Sequence, residues 1–116
     1  MNNNEPKLID IKGQEIKIGD FVMYPILTFL RCGLVYRIYN EKGFRAKYIP
    51  FYYNYGANPE EPVPVAAVRD QAVYKYQRSV VKISQDELSS IISNNEFVAL
   101  CAARDNIMRK LAKYVD

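Results

Sequence analysis

The chain has 116 residues, 49% hydrophobic and 25% charged, a size and balance that predict one folded domain with one core and exclude global disorder. Ten Tyr stand beside no Trp and no His; without imidazole, the catalytic triads and zinc sites built on His drop out. Cys32 and Cys101 are far apart and outside any C-x-x-C spacing, so they read as reduced core thiols rather than metal ligands or a redox pair.

The polar start, residues 1–7, has no apolar core of signal-peptide type, and no apolar run nears the roughly 20 residues of a membrane span. A cytoplasmic protein with no membrane contact is expected. The net charge of +3 is too small to point to a partner, but its distribution is uneven. Between residues 21 and 58, Arg31, Arg37, Lys42, Arg45 and Lys47 face Glu41 alone; from residue 84 onward, carboxylates slightly outnumber cations. The positive excess belongs to the β-rich part of the chain.

In chain order, residues 8–11 and the turn at 12–15 predict a short strand closing one edge of a sheet. Residues 16–25 are β-rich, punctuated by Gly19-Asp20 and ending at Pro25, where no ladder donor is needed. The apolar stretch 26–32 lacks turn residues, so the strand continues or bulges through it. Residues 33–39 and 44–53 flank Asn40-Glu41-Lys42-Gly43, a polar loop whose glycine could take the left-handed position of a hairpin. Three prolines, a glycine and two asparagines make 54–64 an exposed loop. Two β segments follow, 65–68 and 72–83, around a turn at Arg69-Asp70-Gln71; the parity of Tyr74 and Tyr76 against Val81 and Ile83 predicts a bulge near 77–79.

At residue 84 the hydrophobic period changes from two to 3.6. Ser84-Gln85-Asp86-Glu87 and Ser93-Asn94-Asn95-Glu96 are two capping boxes, flanked by the apolar pairs Ile83/Leu88 and Ile92/Phe97. They predict helices over 85–92 and 94–114 with a corner at Ser93. Phe97, Leu100, Cys101, Ile107, Met108, Leu111 and Val115 form the apolar stripe of the second, interrupted by Arg104. The expected architecture is mainly β within the α+β class: a single domain (1–116) of a five-stranded small barrel (8–83) with a helical C-terminal extension (84–116) packed on it.

No carboxylate spacing singles out a catalytic pair, and neither a G-x-x-x-x-G-K-[ST] nor a G-x-G-x-x-G phosphate loop occurs. A non-enzymatic binding module without metal or organic cofactor is expected. With Leu34, Tyr36 and Ile38 facing a core, the opposite face of the hairpin gathers Arg37, Tyr39, Arg45 and Lys47, edged by Arg31 and Lys42. Cations interleaved with aromatic rings attract phosphates and stack bases, so DNA or RNA is the first expected partner. The alternative is a protein-interaction or inhibitor module anchored by Tyr53 and Tyr55 beside the Pro-rich loop.

Ile18-Gly19-Asp20-Phe21-Val22 followed by Gly33-Leu34-Val35-Tyr36-Arg37-Ile38 resembles the opening of SH3-like small barrels, including KOW-type domains, over some twenty residues. The resemblance implies a barrel whose first strand enters after a Gly-Asp turn, and it implies nucleic-acid binding. The apolar 25–32 segment departs from the Gly-rich polar loop usual in KOW-type domains. In style, the short Tyr-rich, His-free chain also looks like accessory proteins of bacteriophages, which implies a host nucleic acid or host protein as partner.

Overall fold

The computed structural model describes residues 7–50 and 67–113. Five strands, β1 (Phe21–Ile26), β2 (Phe29–Asn40), β3 (Gly43–Tyr48), β4 (Arg69–Tyr74) and β5 (Val81–Ile83), precede two helices, α1 (Gln85–Ile91) and α2 (Asn94–Ala112). All pairings are antiparallel and the strand order is β4-β3-β2-β1-β5. The fold is α+β, with a four-strand meander and a fifth strand returning beside the first.

Strand alternation divides the core into two clusters on opposite faces of the sheet. On the inner face, Val22, Tyr24, Val35, Phe44, Ala46 and Val73 pack with Leu8, Ile16 and Val80 from flanking segments. On the helix face, Phe21, Leu34 and Ile83 pack with Ile49 and with Leu88 and Leu100 of the two helices. Each capping box is formed: Ser84 Oγ accepts from the Glu87 N–H at 3.0 Å, and Ser93 Oγ from the Glu96 N–H at 3.3 Å. These boxes satisfy amides that the helix starts leave without intrahelical partners.

Four expectations change. Residues 8–11 form no sheet strand; a single bridge joins Ile9 to Glu15, and Asp10 organises the turn instead. Its carboxylate accepts from the backbone amides of Lys12, Gln14 and Lys82 at 2.8–2.9 Å. The 26–32 stretch contains a tight turn: Leu27, at φ +51° and 94% exposed, reverses the chain, and β2 begins at Phe29. Residues 69–71 are not a turn but the start of β4, paired with 46–48 of β3. The expected strand over 72–83 is divided, because the amides of Gln77 and Arg78 bond back to the Tyr74 carbonyl and turn the chain away. After that turn, β5 joins the far side of the sheet against β1.

The hairpin glycine also has a different reason. Gly43 lacks a positive φ; among the described glycines only Gly13 and Gly19 have one. Gly43 lies opposite Tyr74, and a Cβ there would come within 2.7 Å of Tyr74 Cδ1. Its missing side chain is the seat of that ring. Gly33 does the same service inside the sheet, where a Cβ would meet Tyr24 Cε1 at 3.2 Å and Ala46 Cβ at 3.1 Å.

Candidate functional site

Register decides which hairpin side chains meet. Val35 opposes Ala46, then Arg37 opposes Arg45 and Ile38 opposes Phe44, so Tyr36 is an extra residue in a bulge; a second shift follows before Asn40. Strict alternation would put Tyr36 with Leu34 and Ile38, but Leu34 and Ile38 themselves pack in different clusters, helix face and inner face. The bulge re-aims the strand. Tyr36 keeps the face of Leu34 and meets Arg45 there, while the extra residue brings Arg37 onto that face and turns Ile38 to the inner one.

That cluster centres on Arg45. Its Nε donates to the Tyr36 hydroxyl at 2.9 Å, Nη1 to the Tyr39 hydroxyl at 3.2 Å, and Nη2 pairs with Asp70 Oδ1 at 2.7 Å. Tyr36 in turn donates to Asp70 Oδ2 at 2.9 Å. Bonds from Tyr39, Asp70 and Tyr36 push the Arg45 pKa upward, and the guanidinium with the Tyr36 hydroxyl holds the Asp70 carboxyl below its usual value. Burial, with the Asp70 carboxylate accepting its proton, raises the Tyr36 phenol. The Lys47 ammonium lies 4.7 Å from the Tyr36 ring centroid, and the Arg37 guanidinium 5.7 Å from that of Tyr39. These separations are within cation–π range.

Five of the six expected nucleic-acid residues, Arg37, Tyr39, Lys42, Arg45 and Lys47, belong to the β2–β3 hairpin on or beside this face. Arg31 is set apart. It opposes Tyr24 on β1 and shares the inner face, where its guanidinium sits 3.8 Å from the Tyr48 centroid and donates to Gln71 Oε1. Tyr53 and Tyr55 lie outside the described residues.

Tyr74, Lys75 and Tyr76 are not among the site residues expected from the sequence. Tyr74 stacks on Tyr39 at 6.3 Å and 17°, and Tyr76 follows at 5.7 Å and 35°. The Lys75 N–H bonds to the Lys42 carbonyl at 2.9 Å, joining the turn after β4 to the hairpin tip. Two tyrosines two residues apart were a visible signal, but only the β3–β4 pairing brings them to Tyr39. Arg45 is the cation of this cluster held in an ion pair; among the described residues Arg37, Lys42 and Lys75 are in none.

Helix α2 covers the other half of the face. Between it and β3 runs a groove of about 670 Å³, lined by Val98, Ala99, Ala102 and Ile107 together with Lys47, Arg109 and Lys110. Burial pushes the Cys32 thiol up to about 11, helped by the Glu96 carboxylate, and burial likewise raises Cys101. Neither is a reactive thiolate at neutral pH. Among the described residues, no three acidic or cysteine side chains group as a metal site, and no helix is long and apolar enough to cross a membrane. Comparison with protein-family models, with curated proteins and with solved structures finds no match.

Proposed function

We propose that this protein is a non-enzymatic nucleic-acid-binding module, an SH3-like small barrel whose β2–β3–β4 face receives the ligand. The observation that carries this reading is the bulged hairpin, which gathers Arg37, Tyr36, Tyr39, Arg45 and Lys47 on the part of the sheet beside α2. The strand order, a meander with β5 beside β1, supports the SH3-like assignment. Arg45 serves mainly to position the tyrosines, since Asp70 neutralises it; Arg37, Lys42, Lys47 and Lys75 are the phosphate contacts. A bacteriophage accessory role in the host cytoplasm is the setting suggested by the style of the chain, with host DNA or RNA as ligand.

The test is binding of labelled DNA and RNA at several salt concentrations. Neutralising about four phosphates gives a log–log salt slope of roughly −3 to −4. Replacing Arg37, Lys42 and Lys47 together by Ala flattens that slope by about 2 to 3, with an unchanged circular dichroism spectrum. No affinity even at low salt defeats the reading.

A second reading, a protein-interaction module, has the α2 groove in its favour. Its lining of apolar side chains with lysine and arginine suits an acidic amphipathic helix of a protein partner. A designed acidic amphipathic peptide that binds the protein but not its Arg109→Glu, Lys110→Glu variant supports this reading. No binding of the peptide, or equal binding by the charge-reversed variant, defeats it.

A further inference from the structure

Rings and cations at the hairpin tip form one continuous row. The Arg37 guanidinium lies over Tyr39 at 5.7 Å, Tyr39 stacks on Tyr74, and Tyr74 meets Tyr76. The row is held from below: Gly43 gives Tyr74 its seat, Arg45 holds the Tyr39 hydroxyl, and the Lys75–Lys42 backbone bond locks the turn to the hairpin. One end is closed by Arg37. The other end, Tyr76, is 76% exposed against 40% for Tyr39.

A core ladder would hide its last ring, because each exposed aromatic forgoes the burial that makes it stabilising. Tyr76 instead projects from a turn on a supported stack, with Lys75 preceding it. A base inserted between two rings needs about 7 Å, twice the roughly 3.4 Å rise of stacked bases. Centroids 6.3 and 5.7 Å apart leave no such gap. A ligand base therefore extends the row at its open end and does not enter it.

We propose that this row is a stacking platform for an unpaired base, placed on Tyr76, and that the module accordingly selects single-stranded over duplex nucleic acid. This rests on the nucleic-acid reading above. In a duplex both faces of each internal base are covered by its neighbours, so only edges reach a protein; a flat aromatic end requires a free face, which a single strand offers. Lys42 and Lys75, joined through their backbones beside the row, contact the flanking phosphates. Stacking of this kind tolerates any base, since each has a π-face.

The experiment uses the full chain with fluorescein-labelled oligo(dT) and oligo(U) of twelve nucleotides and a twelve-base-pair duplex, measured by anisotropy at low and moderate salt. Single strands are expected to bind at least tenfold tighter than the duplex. Tyr76→Ala loses about tenfold for single strands with the salt slope unchanged, because it removes a stacking contact and no charge. Tyr76→Trp retains binding, and because the chain has no Trp, its fluorescence reports the site alone; quenching by oligo(dT) and not by duplex is expected. Equal affinity for duplex and single strands, or an unaffected Tyr76→Ala variant, overturns this inference while leaving the cationic face intact as a binder. Absence of any nucleic-acid binding overturns both readings together.

Discussion

Two arginines sit among tyrosines on opposite faces of the same sheet, and their partners differ. On the inner face Arg31 lies against Tyr48 and donates to Gln71 Oε1, which also accepts from the Tyr24 hydroxyl at 3.1 Å. On the outer face Arg45 donates to two tyrosine hydroxyls and pairs with the Asp70 carboxylate. Adjacent residues of one strand thus supply an amide to one cluster and a carboxylate to the other. Beside the fully buried Tyr24, an amide oxygen with two lone pairs satisfies both donors without taking a second charge out of water. Outside, the carboxylate stays hydrated and orders the ring hydroxyls. The inner cluster is built for packing, whereas the outer one keeps its polar groups and rings available to a ligand.

The largest expected break comes from Tyr24→Ala. It empties a fully buried aromatic site and costs about 3–5 kcal/mol, read as a fall in the urea midpoint. Tyr39→Ala, its outer counterpart, changes the midpoint far less and instead lowers affinity for single strands. A comparable midpoint loss from both variants would erase the distinction between the faces.

Gln71→Ala is next. It leaves the Tyr24 hydroxyl without its acceptor at a cost of about 1–3 kcal/mol. Burial already drives the Tyr24 phenol pKa upward, so the ring does not ionise to relieve the loss. A Tyr24→Phe, Gln71→Ala double variant that recovers part of this stability in the same urea experiment sharpens the point, because the buried hydroxyl donor is then gone. Further loss in the double variant would show that Gln71 acts mainly through Arg31.

The smallest effect is pH-dependent. Arg45, followed by the Tyr36 hydroxyl, holds Asp70 below the ordinary carboxyl range in the folded protein. A depressed folded-state pKa means that its contribution is complete above the unfolded value near 4 and is lost as pH falls through the folded value. Residue-resolved NMR should show the Arg45 Nε–H signal moving as Asp70 takes up its proton, while that of Arg31, bonded to a non-titrating amide, stays in place. Asp70→Asn removes the Arg45 response. Movement of both guanidinium signals in step would tie the clusters together and contradict their independence.

Local chemistry settled the parts whose reasons are local. Two Ser-x-x-Glu boxes with their apolar flanks set the helix starts at Ser84 and Ser93, the Gly19-Asp20 turn precedes β1, and alternation in 33–39 and 44–48 marks a hairpin; each depends on residues within four or five positions. The cations of the hairpin were legible for the same reason. Tertiary pairing decided what alternation could not. Bulges at Tyr36 and Tyr39 depend on how β2 meets β3, and the first swings Arg37 onto the outer face beside Tyr36 and turns Ile38 to the inner one. Residues 69–71 look like a turn by composition, yet they become a strand because 46–48 offer them a ladder. The same pairing sends Asp70 to one face and Gln71 to the other, seats Tyr74 on Gly43, and brings Tyr76 into line with Tyr39. Arg31 lies six residues from Arg37 and would share its face in an unbroken strand. The extra residue at Tyr36 reverses that parity, so one inserted position separates a packing arginine from a surface one.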